Sequence, residues 1–330
     1  MIRRRAGLIG ALATVLPFAQ PVGSATTRTK IFRVGVLESE REVDEYGWKE
    51  FVAELSRLGF VEGQNVVFIR RVGERLRPDL LNRITDELVA LNVDVIYVAS
   101  GVAGVRAAMA STKVIPIVFF SSTDPVGLGL VASLSRPGGN VTGQTASAID
   151  YLPKSLEFLI EAIGKRNARI VEIQPTGGRM GTTFVRISAA MSAAADRLKA
   201  KFAYADVASV EEIAPLVKLL ADEGTNALIL SSYPMFYPHL EALATLMIES
   251  RLPCAGSPNR GFLLDYSADY LALLQNAARY VAKVLRGVKP SDLPIELASR
   301  FNLVINLRTA KAIGIKVPGA LLARADELIE

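Results

Sequence analysis

Residues 136–143 read Arg-Pro-Gly-Gly-Asn-Val-Thr-Gly. A proline followed by two glycines ends any helix that reaches it, and the four residues after them read as a short crossover strand. The stretch is a junction, and one pattern runs on both of its sides. Upstream, strand-like apolar runs at 33–37, 65–70, 94–98 and 116–120 alternate with segments at 46–58 and 80–91. Those segments carry apolar residues at helical spacing: Phe51, Leu55 and Leu58, then Leu81, Ile84, Leu88 and Leu91. Gly59 reads as a helix stop. Downstream the pattern restarts, with strands at 169–173, 201–207, 227–230 and 253–255 and helices at 182–198, 210–221 and 240–249. Strands begin at 33, 65 and 94 in one half and at 169, 201 and 227 in the other. Alternating strands and helices predict parallel sheets covered on both faces. The expected fold is therefore α/β, with two doubly wound parallel-sheet lobes side by side.

The tail extends this reading. A helix at 270–285, a proline-containing stretch at 287–294, a strand at 302–305 and a terminal helix follow two complete lobes. A tail with both helix and strand predicts that the chain recrosses between lobes. Several crossovers form a hinge over a ligand cleft, where one linker would be only a tether. The expected division is 30–143 with 261–295 for the N-terminal lobe, and 144–260 with 296–330 for the C-terminal lobe. A length of 330 residues suits two domains of roughly 100–200 residues each.

The N-terminus predicts export. Arg3-Arg4-Arg5 are followed by an apolar run from Ala6 to Leu16, then Pro17, Pro21 and the small residues Gly23, Ser24 and Ala25. That order reads as a signal peptide cleaved near Ala25, since spanning a membrane needs about 20 apolar residues. The arginines leave both Sec and twin-arginine export open. Residues 1–25 hold three of the 38 basic residues and no acid, so 35 basic and 33 acidic residues remain, a net charge of +2. So even a balance argues against a nucleic-acid partner. The single cysteine, Cys254, excludes an intrachain disulfide, and no cysteine follows the signal segment to carry a lipid anchor. A monomer diffusing freely in the periplasm fits these features. Cys254, in an apolar run, reads as a buried small hydrophobe.

Catalytic signals are weak. Gly127-Leu128-Gly129-Leu130-Val131-Ala132 matches G-x-G-x-x-A, but residues 121–126 separate it from the preceding strand, against the strand–turn–helix that a dinucleotide site requires. His239 is the only histidine, no G-x-S-x-G elbow is present, and no cluster has metal-ligand spacing. Glu211 and Glu212 sit where a helix begins and complement its dipole. No catalytic residue, metal or cofactor is expected, and a nucleotide-dependent enzyme is the weakest alternative.

The loops beyond the strands carry more. Ligands of open α/β sheets sit past the carboxyl ends of the strands. Those ends offer Glu38, Ser100, Gly101, Ser121, Thr123, Asp124, Gln174, Thr176 and Tyr233, with Asp265 and Tyr266 further on. Hydroxyls and helix N-termini suit a carboxylate, an acid suits an ammonium, and aromatic rings suit a flat body. Each hydroxyl also suits helix capping, and Asp124 followed by Pro125 serves equally as an N-cap. Phe236 reads equally as packing.

Five pieces of the chain together resemble a known family: residues 58–66 (Leu-Gly-Phe-Val-Glu-Gly-Gln-Asn-Val), 115–119 (Ile-Pro-Ile-Val-Phe), 124–127 (Asp-Pro-Val-Gly), 135–143 and 303–311 (Leu-Val-Ile-Asn-Leu-Arg-Thr-Ala-Lys). In this order they are similar to the ABC transporter substrate-binding proteins related to the tryptophan/tyrosine-binding type, with a periplasmic-binding-protein-like type I fold. The resemblance implies capture of a small ligand, an amino acid or aromatic carboxylate, between the lobes and delivery to a membrane permease. A periplasmic sensor subunit is the alternative. The chain departs from the family pattern at Gly101-Val102, at Ser231-Ser232-Tyr233 and in a shortened segment at 259–267.

Overall fold

The computed structural model describes residues 30–38, 45–73, 78–99, 101–121, 124–176 and 181–330. The expected export segment lies outside them, as do Ser100 and Thr123.

The first half runs β1 (Phe32–Glu38), α1 (Glu45–Arg57), β2 (Val66–Val72), α2 (Pro78–Ala90), β3 (Val95–Val98), α3 (Gly101–Ser111), β4 (Ile117–Ser121) and β5 (Val141–Thr145). The second runs α4 (Ala148–Ile163), β6 (Arg169–Pro175), α5 (Gly181–Arg197), β7 (Lys201–Val207), α6 (Ile213–Asp222), β8 (Ala227–Leu230), α7 (Leu240–Glu249), β9 (Cys254–Ala255) and β10 (Leu264–Ala268). The tail adds α8 (Tyr270–Leu285), β11 (Glu296–Leu297), β12 (Phe301–Asn306), α9 (Leu307–Ala312), α10 (Gly319–Leu322) and β13 (Glu327–Ile329).

Two sheets result, ordered β11-β5-β4-β3-β1-β2 and β13-β12-β10-β9-β8-β6-β7 among the described residues. Pairing is parallel except between β10 and β12. β3 and β8 are buried at every residue, as strands covered on both faces must be. The stripes of α1 and α2 explain one reason for that cover. Phe51 and Leu55 pack with Val34 and Val36 beside α8, while Leu81, Ile84 and Leu88 pack with Leu37 and Ile96 beside α3. Burying each such side chain contributes about 1.5–3 kcal/mol. In the second lobe, α4 and α5 cover Ile170 and Ile229 on one face, and α6 and α7 cover Val171 and Leu228 on the other.

The junction at 136–143 works through its glycines. Gly138 and Gly139 have φ of 75° and 61°, in the left-handed region. Gly143 lies within β5 at φ 152°, where an added Cβ would overlap the carbonyl oxygen of Phe119 on β4. Buried polar side chains then tie β5 to the tail. Thr142 Oγ1 donates to the Leu293 carbonyl at 2.8 Å, and Gln144 donates to the Leu273 carbonyl while accepting from Asn276 Nδ2 at 3.0 Å.

Among the described residues the chain changes sheet three times: between β5 and β6, between β10 and β11, and between β11 and β12. The expected exchanges at 261 and 296 need correction. Residues 264–268 belong to the second sheet, because Leu264 pairs with Ile305 and Ala268 with Phe301. Glu296 and Leu297 belong to the first sheet, paired with Gln144 and Thr145. No helix among the described residues is long and apolar enough to cross a membrane. Cys254 is buried at 2% exposure, and burial pushes its thiol pKa up.

Candidate functional site

A cavity of about 540 Å³ opens at the carboxyl ends of the second sheet. That volume suits a small molecule. Its floor comes from strands and the turns after them: Glu172 and Gln174 on β6, Tyr204 on β7, Ser231 to Tyr233 after β8, Gly256 and Ser257 after β9, and Asp265 to Ser267 on β10. Its walls are the opening turns of α4 and α5. Tyr151 and Ser155 lie four apart on α4, and Phe184 and Ile187 lie three apart on α5, so each pair shares one helix face. Phe236, Tyr237 and Leu240 close another side. All of these residues belong to the second lobe.

Strand alternation explains why β6 supplies two polar groups. Residues 170, 172 and 174 point to one face, so Ile170 enters the core under α4 and α5 while Glu172 and Gln174 reach the cavity beyond it. Gly256 is held small by Phe262, whose ring lies 2.8 Å from where a Cβ would stand.

The electrostatics are one-sided. Two carboxylates, Glu172 and Asp265, line the cavity, and among its described lining residues there is no lysine, arginine or histidine. Glu172 is 7% exposed. Its Oε1 accepts from Ser231 Oγ, and its Oε2 has no hydrogen-bond partner among the described residues. Burial pushes its carboxyl up to about 7, against the opposing pull of the Ser231 hydroxyl. Burial likewise raises Asp265 to about 6, although Ser267 Oγ donates to its Oδ2 at 2.6 Å. The Tyr151 hydroxyl is raised first by burial and then by the charges of Asp265, Glu172 and Tyr237. Tyr233 is raised by burial and by Glu172.

Aromatic rings order the walls. Phe184 and Tyr204 lie 5.1 Å apart between centroids, and Tyr266 meets Phe158 edge-on at 4.9 Å. Ser232 Oγ and Tyr237 Oη share a hydrogen bond of 2.9 Å, and Gln174 Nε2 donates to Asp206 Oδ1 at 3.2 Å.

Of the residues expected from the sequence, Gln174, Tyr233, Asp265 and Tyr266 meet in this cavity. Tyr266 sits within β10 and does not follow a strand. The others lie elsewhere. Glu38 is buried at 4% exposure with both oxygens on Arg70, at 3.1 Å from Nε and 2.9 Å from NH2. Arg70 in turn stacks 4.3 Å over Trp48. Asp124 accepts from the Gly127 N–H at 3.0 Å and forms an ion pair with Arg186 of α5, so it both shapes a turn and bridges the lobes. Gly101 opens α3 at φ 69°, and Ser121 ends β4 opposite Thr145. Thr176 is exposed, its N–H donating to the Val207 carbonyl at 2.8 Å. The glycine motif at 127–132 forms turns and opens no helix.

Glu172, Tyr151 and Tyr204 were not among the expected residues, while Ser231 lies in the Ser231-Ser232-Tyr233 loop already singled out. Glu172 had a readable signal: an acid in the middle of a strand whose neighbours are Val171 and Ile173.

Comparison with known proteins supplies the family. The tyrosine-binding protein of Clostridioides difficile (strain R20291) is 26% identical over 281 residues, covering 81% of this chain and 76% of that one. Two solved structures share the fold. A conserved domain protein from Vibrio cholerae has a TM-score of 0.78 at 24% identity, and an ABC domain in complex with L-Trp from Streptococcus pneumoniae has 0.77 at 22%. In both cases 91% of this chain and 100% of the other are covered. The family model described as ABC transporter substrate binding protein matches residues 55–329, and the chain belongs to that family.

Proposed function

We propose that this protein is the exported receptor of an ABC importer, capturing one small amino-acid-like or aromatic ligand per monomer and handing it to a membrane permease without turnover. The observation that carries the reading is the second-lobe cavity, with Glu172 buried in its floor and one carboxylate oxygen unpartnered. Such a group is costly unless something completes it. The tyrosine-binding relative and the fold neighbour in complex with L-Trp support the choice of ligand class. The three crossings between sheets support closure of one lobe over the other, with Asp124 and Arg186 meeting across the gap. Gln174, Tyr233, Asp265 and Tyr266 are the expected contacts from this side. Ser100, Gly101, Ser121 and Thr123 are the first-lobe groups proposed to meet the ligand on closure. Arg3-Arg4-Arg5 and the apolar run after them support secretion to the periplasm with cleavage near Ala25.

Thermal-shift screening against amino acids and aromatic carboxylates tests the reading, because a ligand at 100 times its Kd stabilises the folded state by about 2.7 kcal/mol. The expected result is a raised Tm together with a smaller radius of gyration in solution scattering. A ligand chemically changed on incubation, or no shift across the whole panel, overturns it.

A further inference from the structure

The receptor reading leaves open which end of a ligand the cavity holds, and its charge pattern bears on that. Glu172 is more than nine-tenths buried and faces the cavity, with Oε1 on Ser231 Oγ and Oε2 unpartnered. Asp265 lines the same space. No basic side chain among the described lining residues offsets either acid. The acids of the first lobe are different: Glu38 and Asp124 each have an arginine.

We propose that the cavity recognises its ligand through a cationic amine, with Glu172 as the counter-charge, and that a carboxylate on the ligand is dispensable. The inference rests on the cavity being the ligand site. Two observations carry it together. An ammonium donates hydrogen bonds, and the open Glu172 Oε2 accepts one; a charge-assisted bond in a buried site is among the strongest available. The walls are also rich in aromatic rings, whose faces attract cations and whose flat surfaces suit a ring-bearing body. In this cavity a ligand carboxylate gains neither contact and lies beside two acids. Discrimination then comes from repulsion as much as from attraction.

A matched set separates the two ends of the ligand. Calorimetry is run on the full-length mature protein with L-tyrosine, tyramine and 3-(4-hydroxyphenyl)propionate. Removing the carboxylate is expected to weaken binding less than about tenfold, and removing the amine more than about a hundredfold, as befits loss of a buried charge pair. Glu172→Gln keeps the shape and loses the charge, and it is expected to weaken tyramine by about thirtyfold or more while Tm is maintained or raised. The inference is overturned if the propionate binds within tenfold of tyrosine, if tyrosine binds and tyramine does not, if Glu172→Gln leaves tyramine affinity unchanged, or if neither amine binds. In that last case a Tm rise with another small ligand keeps the receptor reading standing while this one falls.

Discussion

Glu38 on β1 and Glu172 on β6 occupy corresponding strands: β1 lies between β2 and β3, and β6 between β7 and β8. Both side chains are buried, at 4% and 7% exposure. Glu38 spends its two oxygens on Arg70, which Trp48 backs from the other side. Glu172 has one serine hydroxyl and an oxygen left over. One buried acid is a finished structural pair, and the other is half of a pair. Among similar lobes, the place where a buried charge is left incomplete marks the site better than the number of polar groups nearby.

The largest effect expected of this contrast is on the finished pair. Arg70→Ala removes the arginine partner of the buried Glu38 and is predicted to cost about 3–5 kcal/mol in urea denaturation, toward the low end because the Arg70 side chain is 21% exposed. Ligand affinity should change far less than in Glu172→Gln, since neither residue lines the cavity. A loss below about 1 kcal/mol would place Glu38 in the class of exposed pairs and dissolve the comparison.

The opposite sign is expected at the unfinished pair. The Glu172 carboxyl is raised from 4.5 to about 7 by burial, so the folded state holds its proton more tightly than the unfolded chain. The cost is absent below pH 4.5, grows as pH rises, and is complete above pH 7. At 1.36 kcal/mol per unit it is on the order of 3 kcal/mol. Glu172→Gln should therefore stabilise the protein at pH 8 by a few kcal/mol and match the parent at pH 4. Asp265 contributes a similar slope, since burial raises it from 3.8 to about 6. Equal stability of variant and parent across this range would show that Glu172 is completed without a ligand.

The smallest effect belongs to Asp124. Asp124→Asn keeps an acceptor for the Gly127 N–H and loses only the pair with Arg186, whose side chain is 56% exposed. The expected cost is about 0–1 kcal/mol. Asp124→Ala also loses the turn acceptor and should cost about 0.5–1.5 kcal/mol more. Melting curves of the two variants give the ordering. Affinity that falls sharply in Asp124→Asn would move the cation's partner from Glu172 to the first lobe.

The sequence carried the architecture further than the site. Strands at 201–207 and 227–230 and helices at 240–249 and 270–285 stand where periodicity placed them. Two helices escaped. α3 is built largely of Ala, Gly and Ser, which dilute its short stripe of Val102, Val105 and Met109, and α4 begins after Ser147 at φ 50° with Pro153 inside it. β10 escaped because its partner, β12, is distant in the chain and runs antiparallel, so residues 259–267 read as a loop. The same habit concealed Glu172. Attention to the loops beyond the strands finds Tyr233, but the acid that faces the cavity lies inside β6, where its apolar neighbours read as core. Burial without a counter-charge is a property of the assembled lobe.

Carbon-13 NMR of the protein labelled at its glutamate side-chain carboxyls tests the central claim most directly. One carboxyl resonance, absent in Glu172→Gln, should titrate with a midpoint near 7 in the free protein. If every glutamate titrates below about 5, within the ordinary range for that residue, Glu172 is not an incomplete buried charge and the account fails.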